Sequence, residues 1–427
     1  MGRIMGDTGK KEIGMREVHA TRAFFFIGGF GTAAWAPLVP LLRERLMVGD
    51  DVLGMLLLCI GVGSLLTMPL SGALAMRLGC RRVVMTAAIL FAVILLLVSC
   101  VDTLVLAVPA VLIFGAVMGC IDVVVNIVAV LVEKGIGRRI MSGMHAFWSL
   151  GGFVGAGLYG VWVGLLGLSP FQSTAIAAGL ILLLTAVFGH HLIPYGGGGG
   201  TLIALPRGII VFVGMTAFIA FLSEGAVMDW GGVYLTTVRG MDLALAGTGY
   251  SVFSAAMLTM RFLGDRVVQR IGALPVAVGG ALLAFGGILL VMFAPVDALL
   301  YVGFFAIGIG SANIVPVFFS LMGRQNVMPV SAAVSAVSSM GYLGILAGPA
   351  APSDSSRRSQ RCRRHLQCSL CSASCRRRSG SVSSNASNKW IQKNAISHGM
   401  AFFYPYCASA LTFLARRDFL RAAAFLW

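Results

Sequence analysis

Four polar side chains lie within long apolar runs and could bind a solute or exchange a proton. Asp122 and Asn126 share one run, Glu224 lies in a second and Asn313 lies in a third. A charged group inside a membrane-spanning helix costs at least about 2.5–3.5 kcal/mol on insertion scales, so each one suggests a function. A carboxyl removed from water favours its protonated form, so Glu224 could take up and release a proton near neutral pH. We therefore predict that these four residues contact a polar solute or carry a proton.

The polar residues of the apolar runs and the carboxyl group of Glu224 each have a purely structural alternative. Asp122 and Asn126 share a helix face with Gly115 and Gly119, and a similar stripe of small residues precedes Asn313. Small residues at these spacings also mark close helix packing, in which Asn serves as an interhelical hydrogen-bonding group. Glu224 could likewise be a structural carboxylate that is bonded to backbone or to a neighbouring hydroxyl. The sequence leaves these alternatives open.

The composition indicates the class of protein that carries these residues. Of the 427 residues, 58% are hydrophobic and only 11% are charged, whereas soluble domains contain about 25% charged residues. This composition excludes a water-soluble enzyme, a nucleic-acid-binding domain and a disulfide-stapled secreted module. The sequence shows no metal-ligand cluster, nucleophile–base pair or cofactor loop. We therefore expect no enzymatic activity, no metal, no cofactor and no nucleic-acid partner.

Apolar runs long enough to cross a bilayer recur along the chain. About 20 apolar residues are needed for one transmembrane helix. Eleven such runs lie near 20–42, 52–75, 83–100, 104–130, 143–168, 171–193, 209–236, 243–262, 273–294, 298–321 and 330–351. The predicted fold is therefore all-α, a polytopic transmembrane helical bundle.

The distribution of Lys and Arg predicts how the bundle is oriented. The N-terminal segment and every second loop together carry sixteen Lys and Arg residues, whereas the opposite side carries only Arg43, Arg45 and Arg239. Cytoplasmic loops are enriched in Lys and Arg. We therefore predict a multi-pass protein of the bacterial inner (plasma) membrane with a cytoplasmic N-terminus.

Short internal matches predict that the bundle consists of two related halves. Asn126-Ile127-Val128 recurs as Asn313-Ile314-Val315, and the turn Arg77-Leu78-Gly79 recurs as Arg270-Ile271-Gly272. The offsets of about 190 residues agree with a duplicated unit of six helices. We predict an N-terminal half at 1–193, a Gly-rich cytoplasmic linker at 194–208 and a C-terminal half with five spans at 209–351.

Three segments resemble the major facilitator superfamily (MFS). Gly72–Arg82 is similar to the family signature Gly-x-x-x-Asp-Arg-x-Gly-Arg-Arg, although Met76 takes the place of the acid; the segment after the eighth span keeps its acid, Asp265. Glu224–Trp230 is similar to a bacterial branch of poorly characterised permeases that is distantly akin to fucose permeases. The resemblance covers about residues 20–351. It implies two six-helix halves, alternating access and a cavity lined by the fourth and tenth helices, but no particular substrate.

Charged residues near the two signature segments are candidates for gating. We predict that they close the cytoplasmic face by pairing with helix ends and acids; they are Arg77, Arg81, Arg82, Asp265, Arg266 and Arg270. The ordinary excess of cytoplasmic arginine explains the five arginines equally well. Two further residues are interpreted as interfacial: His145 at a helix start, and Arg22, whose side chain is expected to extend to lipid phosphates. The alternatives are a pH-sensitive gate at His145 and a substrate contact by Arg22.

The character of the chain changes after the last apolar run. Residues 352–427 are rich in Arg, Ser and Cys and lack apolar periodicity. We predict that this tail is disordered or results from a displaced reading frame, rather than being a lipid-binding or metal-binding segment. In either case the C-terminal half would lack its twelfth helix.

Together these observations predict a secondary active transporter. It would be a monomeric permease that moves a small polar solute across the lipid bilayer by alternating access, with coupling to protons. The alternative hypothesis is a non-transporting membrane protein, either a sensor or an inactive truncated permease.

Overall fold

The computed structural model describes residues 13–196 and 205–347, and these residues are almost entirely helical. No β-strand occurs in these two ranges. The α-helices, in chain order, are α1 Met15–Trp35, α2 Leu38–Leu46, α3 Asp50–Leu78, α4 Cys80–Cys100, α5 Leu104–Ile136, α6 Met141–Gly160, α7 Pro170–Phe188, α8 Ile209–Val233, α9 Thr248–Ile271, α10 Ala273–Phe293, α11 Asp297–Ser311, α12 Ile314–Met322 and α13 Val330–Ala347. The tail at 352–427 and most of the predicted linker lie outside the described residues.

Eleven helical segments of the described ranges are long and apolar enough to cross a membrane, which confirms the predicted spans. Two of the segments are interrupted by proline. The first comprises α1 and α2, which are separated at Ala36-Pro37, and the tenth comprises α11 and α12, which are separated at Ala312-Asn313. Pro316 has no N–H group and its ring would clash with the carbonyl of Ala312 in a regular helix, which disfavours a continuous helix at this point.

The sequence analysis was wrong about the segment 261–272, which it treated as a loop. Residues up to Ile271 continue α9, and the first signature segment is likewise helical up to Leu78. A helix that leaves the hydrocarbon no longer needs apolar residues, so hydropathy alone does not mark its end. Arg77, Arg266 and Arg270 therefore lie on helices rather than in loops.

Both signature segments end at a glycine with a left-handed backbone. Gly79, between α3 and α4, has φ 92°, and Gly272, between α9 and α10, has φ 90°. Residues with a Cβ are strained at such angles, so glycine is favoured at both turns. The two turns adopt the same conformation at equivalent points of the predicted repeat.

The described residues pack into two compact units. The first contains the residues up to Val211 together with Arg261–Ile271 and Pro316–Ser339. Within it, α1 packs along α6 and α3 packs along α5. Glycines allow the close approach: a Cβ on Gly151 of α6 would collide with the carbonyl oxygen of Phe26. A Cβ on Gly115 of α5 would collide with the backbone of Ile60 in the same way.

The second unit contains Phe212–Met260, Gly272–Val315 and the described residues from Met340 on. Its core is an apolar cluster that includes Phe253, Leu300 and Phe304, and the Tyr234 hydroxyl donates to the Val291 carbonyl at 2.9 Å. A Cβ on Gly310 of α11 would meet the backbone of α10. The small residues before Asn313 and those before Asp122 therefore mark close helix packing, the structural alternative for these stripes.

We predict that Gly151→Ala destabilises the protein, because the added methyl group must displace the α1 backbone. Overpacking of this kind costs about 1–3 kcal/mol. Thermal unfolding of the purified protein in detergent should show a lower midpoint for this variant. Gly157→Ala, on the same helix, is the matched control because a Cβ at Gly157 meets nothing within 4 Å. Equal midpoints for the two variants would contradict the packing argument.

Candidate functional site

The start of α6 is anchored by a buried carboxylate from the preceding helix. Glu133 lies near the end of α5 and is only 8% exposed. Its Oε2 accepts hydrogen bonds from the backbone N–H groups of Ile140 (2.9 Å) and Met141 (3.0 Å). Its Oε1 lies 3.7 Å from Nη1 of Arg139. Because the first N–H groups of a helix have no intrahelical acceptor, Glu133 satisfies two of the donors at this helix start.

A second carboxylate satisfies the next two donors of α6. Asp265, near the end of α9, accepts from Ser142 N through Oδ1 and from Gly143 N through Oδ2, both at 2.9 Å. A carboxylate at a helix N-terminus also interacts favourably with the helix dipole. Asp265, a predicted gating residue, therefore connects α9 directly to the first turn of α6.

Arg139 lies between α5 and α6, where its guanidinium is partly buried and close to other charged groups. Burial lowers the pKa of the Arg139 guanidinium, and the positive charge of Arg324 lowers it further, whereas Glu133 raises it. The guanidinium nevertheless remains charged at every physiological pH. The first unit thus contains a compact arrangement of fixed charges around the start of α6.

Arg22 does not take the position that the sequence suggested. It was expected to extend to lipid phosphates, but its guanidinium lies 5.5 Å from the centre of the Phe147 ring. A Cβ on Gly143 would be 2.7 Å from Asp265 Oδ2 and 3.5 Å from Arg22 Nη2, so both groups lie beside the first turn of α6. Nε of Arg22 is buried and has no hydrogen-bond partner among the described residues. Attraction to Asp265 and to the aromatic face explains this inward position.

His145 and Arg261 form a buried polar group that the sequence analysis did not identify. His145, expected at the interface, is only 9% exposed, and its ring packs between those of Phe25 and Phe319. Arg261 is 7% exposed, and its Nη1 donates to Ser149 Oγ at 2.6 Å. A sequence signal existed for Arg261, because an arginine four residues before Asp265 shares its helix face.

The remaining predicted gating residues differ in their contacts. Arg81, at the start of α4, donates from Nε at 2.7 Å and also from Nη2 to the carbonyl of Leu192. It therefore binds a backbone carbonyl just beyond the end of a helix, and its gating role stays a prediction. Four others are exposed and form no hydrogen bond or ion pair with any residue that the structure describes; they are Arg77, Arg82, Arg266 and Arg270. For these four, gating and the general excess of cytoplasmic arginine both stay predictions.

The two signature segments are not equivalent at their acidic position. Gly72 packs against the start of α13, where an added Cβ would lie 2.6 Å from the Ser331 carbonyl oxygen. Met76 lies one turn further along the same face of α3. Met76 takes the place of the acid in the first signature segment, and a thioether is only a weak hydrogen-bond acceptor. The start of α6 thus receives a carboxylate from the second signature segment, whereas the first signature segment carries Met76 in place of an acid.

The predicted cavity residues of the first unit contact each other. Asn126 is 1% exposed, and its Nδ2 donates to the Asp122 carbonyl oxygen (2.9 Å) and lies 3.4 Å from the Asp122 Oδ1. The amide oxygen of Asn126 is buried without a hydrogen-bond partner among the described residues. Asp122 itself is half-buried. One helix turn therefore presents a carboxyl group and an amide acceptor side by side.

The predicted residues of the second unit lie on different elements. Asn313 follows the break after α11, and its Nδ2 donates to the Met260 carbonyl at 3.3 Å. Its Oδ1 is buried and has no partner in the described ranges. Glu224 is half-buried on α8, and the neighbouring Ser223 hydroxyl donates to the Ile219 carbonyl at 2.9 Å. Ser223 therefore uses its single donor on backbone.

Metal chemistry receives no support from the described residues. They contain no group of three or more His, Cys, Asp or Glu side chains that could hold a metal ion. The polar groups are instead hydrogen-bonding side chains and fixed charges inside a helical bundle. Such a site can bind a polar solute or a proton, and the fold and site together define a multi-pass membrane protein of the transporter class.

Comparisons with known proteins identify the family. The profile of the Major Facilitator Superfamily matches residues 23–349. An uncharacterised MFS-type transporter of Yersinia pestis is 44% identical over 327 residues, which cover 75% of this chain and 84% of that protein. The chain belongs to the major facilitator superfamily and is a secondary transporter. Members of this family are not enzymes in general.

Solved structures show the same fold at low sequence identity. The fucose:proton symporter FucP of E. coli aligns with a TM-score of 0.66 at 14% identity, covering 94% of this chain and 99% of FucP. The human organic anion transporter MFSD10 aligns with a TM-score of 0.68 at 15% identity, covering 95% of this chain and 99% of MFSD10. The predicted MFS fold is thereby confirmed, and FucP is one of the solved structures that share it.

We predict that Asp265→Ala destabilises the protein, because Ser142 N and Gly143 N lose their acceptor. Loss of a helix-capping side chain costs about 0.5–2 kcal/mol, and the midpoint of thermal unfolding should fall. Asp102→Ala is the control, since Asp102 is an exposed acid and forms no hydrogen bond or ion pair with the described residues. An unchanged midpoint for Asp265→Ala would show that solvent replaces the carboxylate without cost.

The position of Met76 leads to a second prediction. Met76→Asp would place a carboxylate near the first N–H groups of α13 and should stabilise the protein by about 0.3–1 kcal/mol. Leu78→Asp, at the exposed end of the same helix, adds the same charge away from α13 and serves as control. A higher unfolding midpoint is expected for Met76→Asp alone, and equal midpoints would contradict the assignment.

Proposed function

We propose that this transporter moves a small polar solute together with protons. This proposal rests mainly on the Asp122–Asn126 pair, which is a carboxyl group and an amide one helix turn apart inside an apolar helix. The neutral acid predominates when a carboxyl is removed from water, and the charged form is favoured when water or a donor returns. Asp122 can therefore take up a proton on one side of the membrane and release it on the other.

The unpartnered amide oxygens support a polar solute. Asn126 Oδ1 in the first unit and Asn313 Oδ1 in the second are each buried without a partner among the described residues. A buried acceptor without a hydrogen bond costs about 1–3 kcal/mol, and a hydroxyl or N–H group of a solute would remove this cost. Each oxygen is therefore suited to bind a polar solute.

The structural neighbours agree with this proposal without choosing a substrate. One is described as a fucose:proton symporter and another as an organic anion transporter. Symport with protons is the coupling that the first of these descriptions names. For our chain we propose a bacterial inner-membrane location, a cytoplasmic N-terminus and a monomeric state, as the sequence suggested.

Alternating access requires contacts at the cytoplasmic end that can break and form again. We propose that the Asp265 carboxylate and the first turn of α6 form such a contact. Its two hydrogen bonds are made to backbone N–H groups that water can also satisfy once the helix ends separate.

We predict that Asp122→Asn abolishes solute accumulation, because an amide cannot carry the proton. A pH difference of about 1.7 units, acidic outside, is worth about 2.3 kcal/mol per proton, which corresponds to roughly 50-fold accumulation. Proteoliposomes with this imposed pH difference and labelled fucose, xylose and galacturonate as probes should show this accumulation for the native chain. The variant should still exchange the transported probe across the membrane. It should bring the inside and outside concentrations only to the same value.

The controls separate the two carboxyl candidates. Asp102→Asn changes an exposed acid and should transport normally. If Asp122→Asn still accumulates solute while Glu224→Gln does not, the coupling group is Glu224 of the second unit. Absence of flux for every probe in the native chain would favour a non-transporting membrane protein.

A further inference from the structure

Arg45 and Arg239 take equivalent positions in the two halves of the chain. They are 194 positions apart, and the glycines of the two signature turns, Gly79 and Gly272, are 193 apart. Arg45 lies in the last turn of α2, and Arg239 directly follows the π-helical segment Tyr234–Val238, which continues α8. The duplication therefore places an arginine at the same end of the first membrane-spanning segment of each half.

Both arginines bind the end of the third membrane-spanning segment of their own half. Arg45 Nη1 donates to the Val101 carbonyl at 3.1 Å, and Arg239 Nη1 donates to the Ala294 carbonyl at 2.9 Å. Val101 directly follows α4 and Ala294 directly follows α10; both are buried, and they are 193 positions apart. The same contact therefore occurs twice, once within each compact unit.

The chemistry of a helix end explains why an arginine stands at these two positions. The last carbonyls of a helix lack intrahelical donors and carry the negative end of the helix dipole, so a guanidinium can donate to them and balance their charge. Arg45 and Arg239 are two of the three basic residues on the side that the sequence predicts to be opposite the cytoplasm. The third, Arg43, forms an exposed ion pair with Asp50 at 2.9 Å. The general excess of arginine in cytoplasmic loops does not account for residues on this side, so their role is local.

Both first spans are irregular just before their arginine. The first span is interrupted between α1 and α2 at Ala36-Pro37, and the second half has the π-helical segment after α8. Helices bend at proline residues and at π-helical insertions. The segment beyond each interruption could therefore swing independently of the rest of its half. In both halves the arginine connects this segment to a neighbouring helix.

We propose that Arg45 and Arg239 are positioning residues of the transport cycle, which fasten the end of the first span to the third span so that each half moves as one body. The interruptions at 36–37 and 234–238 then do not act as hinges. This inference rests on the proposed function, because it describes how the same transporter changes its state. Each contact lies within one half, so alternating access does not need to break it.

The second half has more contacts at this position than the first. Arg239 Nη2 also lies 3.2 Å from Asp297 Oδ1 at the start of α11, and the Tyr234 hydroxyl donates to the Val291 carbonyl in the last turn of α10. Arg45 is exposed, and Val101 is its one hydrogen-bond partner among the residues that the structure describes. We therefore expect the end of the first span to depend on its arginine more strongly in the first half.

Amide hydrogen exchange tests the fastening without any solute. The full-length chain is purified in detergent, and the exchange of residues 38–48 and 234–242 is followed by mass spectrometry. Arg45→Gln should accelerate exchange in 38–48 about 3- to 10-fold, because loss of a hydrogen bond increases the population of the locally open segment. Arg239→Gln should accelerate exchange in 234–242 less, since the bond from Tyr234 to the Val291 carbonyl remains.

Matched variants separate the helix-end contact from a general loss of charge. Arg45→Lys can still donate to the Val101 carbonyl and should exchange nearly as slowly as the native chain. Arg43→Gln on the same helix removes an equal charge and an exposed ion pair, which contributes little, so it serves as the control. The proposal is overturned if 38–48 exchanges at the native rate in Arg45→Gln, or equally fast in Arg45→Gln and Arg43→Gln. It is also overturned if Arg45→Lys exchanges as fast as Arg45→Gln.

A covalent bridge tests whether the fastened segment moves with the third span. Arg45→Cys is combined with Asp102→Cys, at the exposed position next to Val101, and the two thiols are joined by a short bifunctional reagent. Exchange of the transported probe in proteoliposomes should be the same before and after bridging. Asp102→Cys alone, treated with the same reagent, controls for reaction at the native cysteines. Loss of exchange in the bridged, folded chain alone would show that the segment must swing, and would overturn the proposal.

Failure of this inference and failure of the proposed function give different results. Absence of flux for every probe in the native chain would reject the proposed function, and hydrogen exchange would still decide whether the arginines fasten the two segments. Normal flux together with native hydrogen exchange in Arg45→Gln would reject the fastening and keep the proposed function.

Discussion

The backbone N–H groups at the start of α6 impose the constraint on which much of the first unit depends. A helix start has donors without intrahelical acceptors, and the low-polarity surroundings of a membrane protein offer little water to satisfy them. Glu133 supplies an acceptor from the preceding helix, and Asp265 supplies one from α9. Because these two carboxylates fix the position of α6, they also fix Ser149 and His145, which lie further along the same helix.

Close packing through glycine is the second feature that positions the polar residues. Gly151 lets α1 approach α6, and this approach brings Arg22 beside Phe147 and near the first turn of α6. Gly115 similarly lets α3 approach α5, which carries Asp122 and Asn126. The small residues therefore do not need to line a cavity themselves. They determine which side chains of neighbouring helices come together.

The candidate site could be predicted only in part from the sequence. Asp122 and Asn126 stood out because a polar pair at a spacing of four in an apolar run must share a helix face. Arg22 and His145 were interpreted as interfacial because each lies close to the end of an apolar run. Hydropathy records distance along the chain but not the contacts of a side chain. Neither the inward position of Arg22 nor the burial of His145 could be derived in this way.

The sequence by itself determined the eleven spans, the family and the transporter class. Each follows from local properties, namely the length of apolar runs and short signature segments, and neighbouring helices do not alter them. Tertiary structure decided that Asp265 caps the start of α6 and that Arg261 binds Ser149. These contacts join residues more than 100 positions apart, and such pairs meet only after the helices have packed.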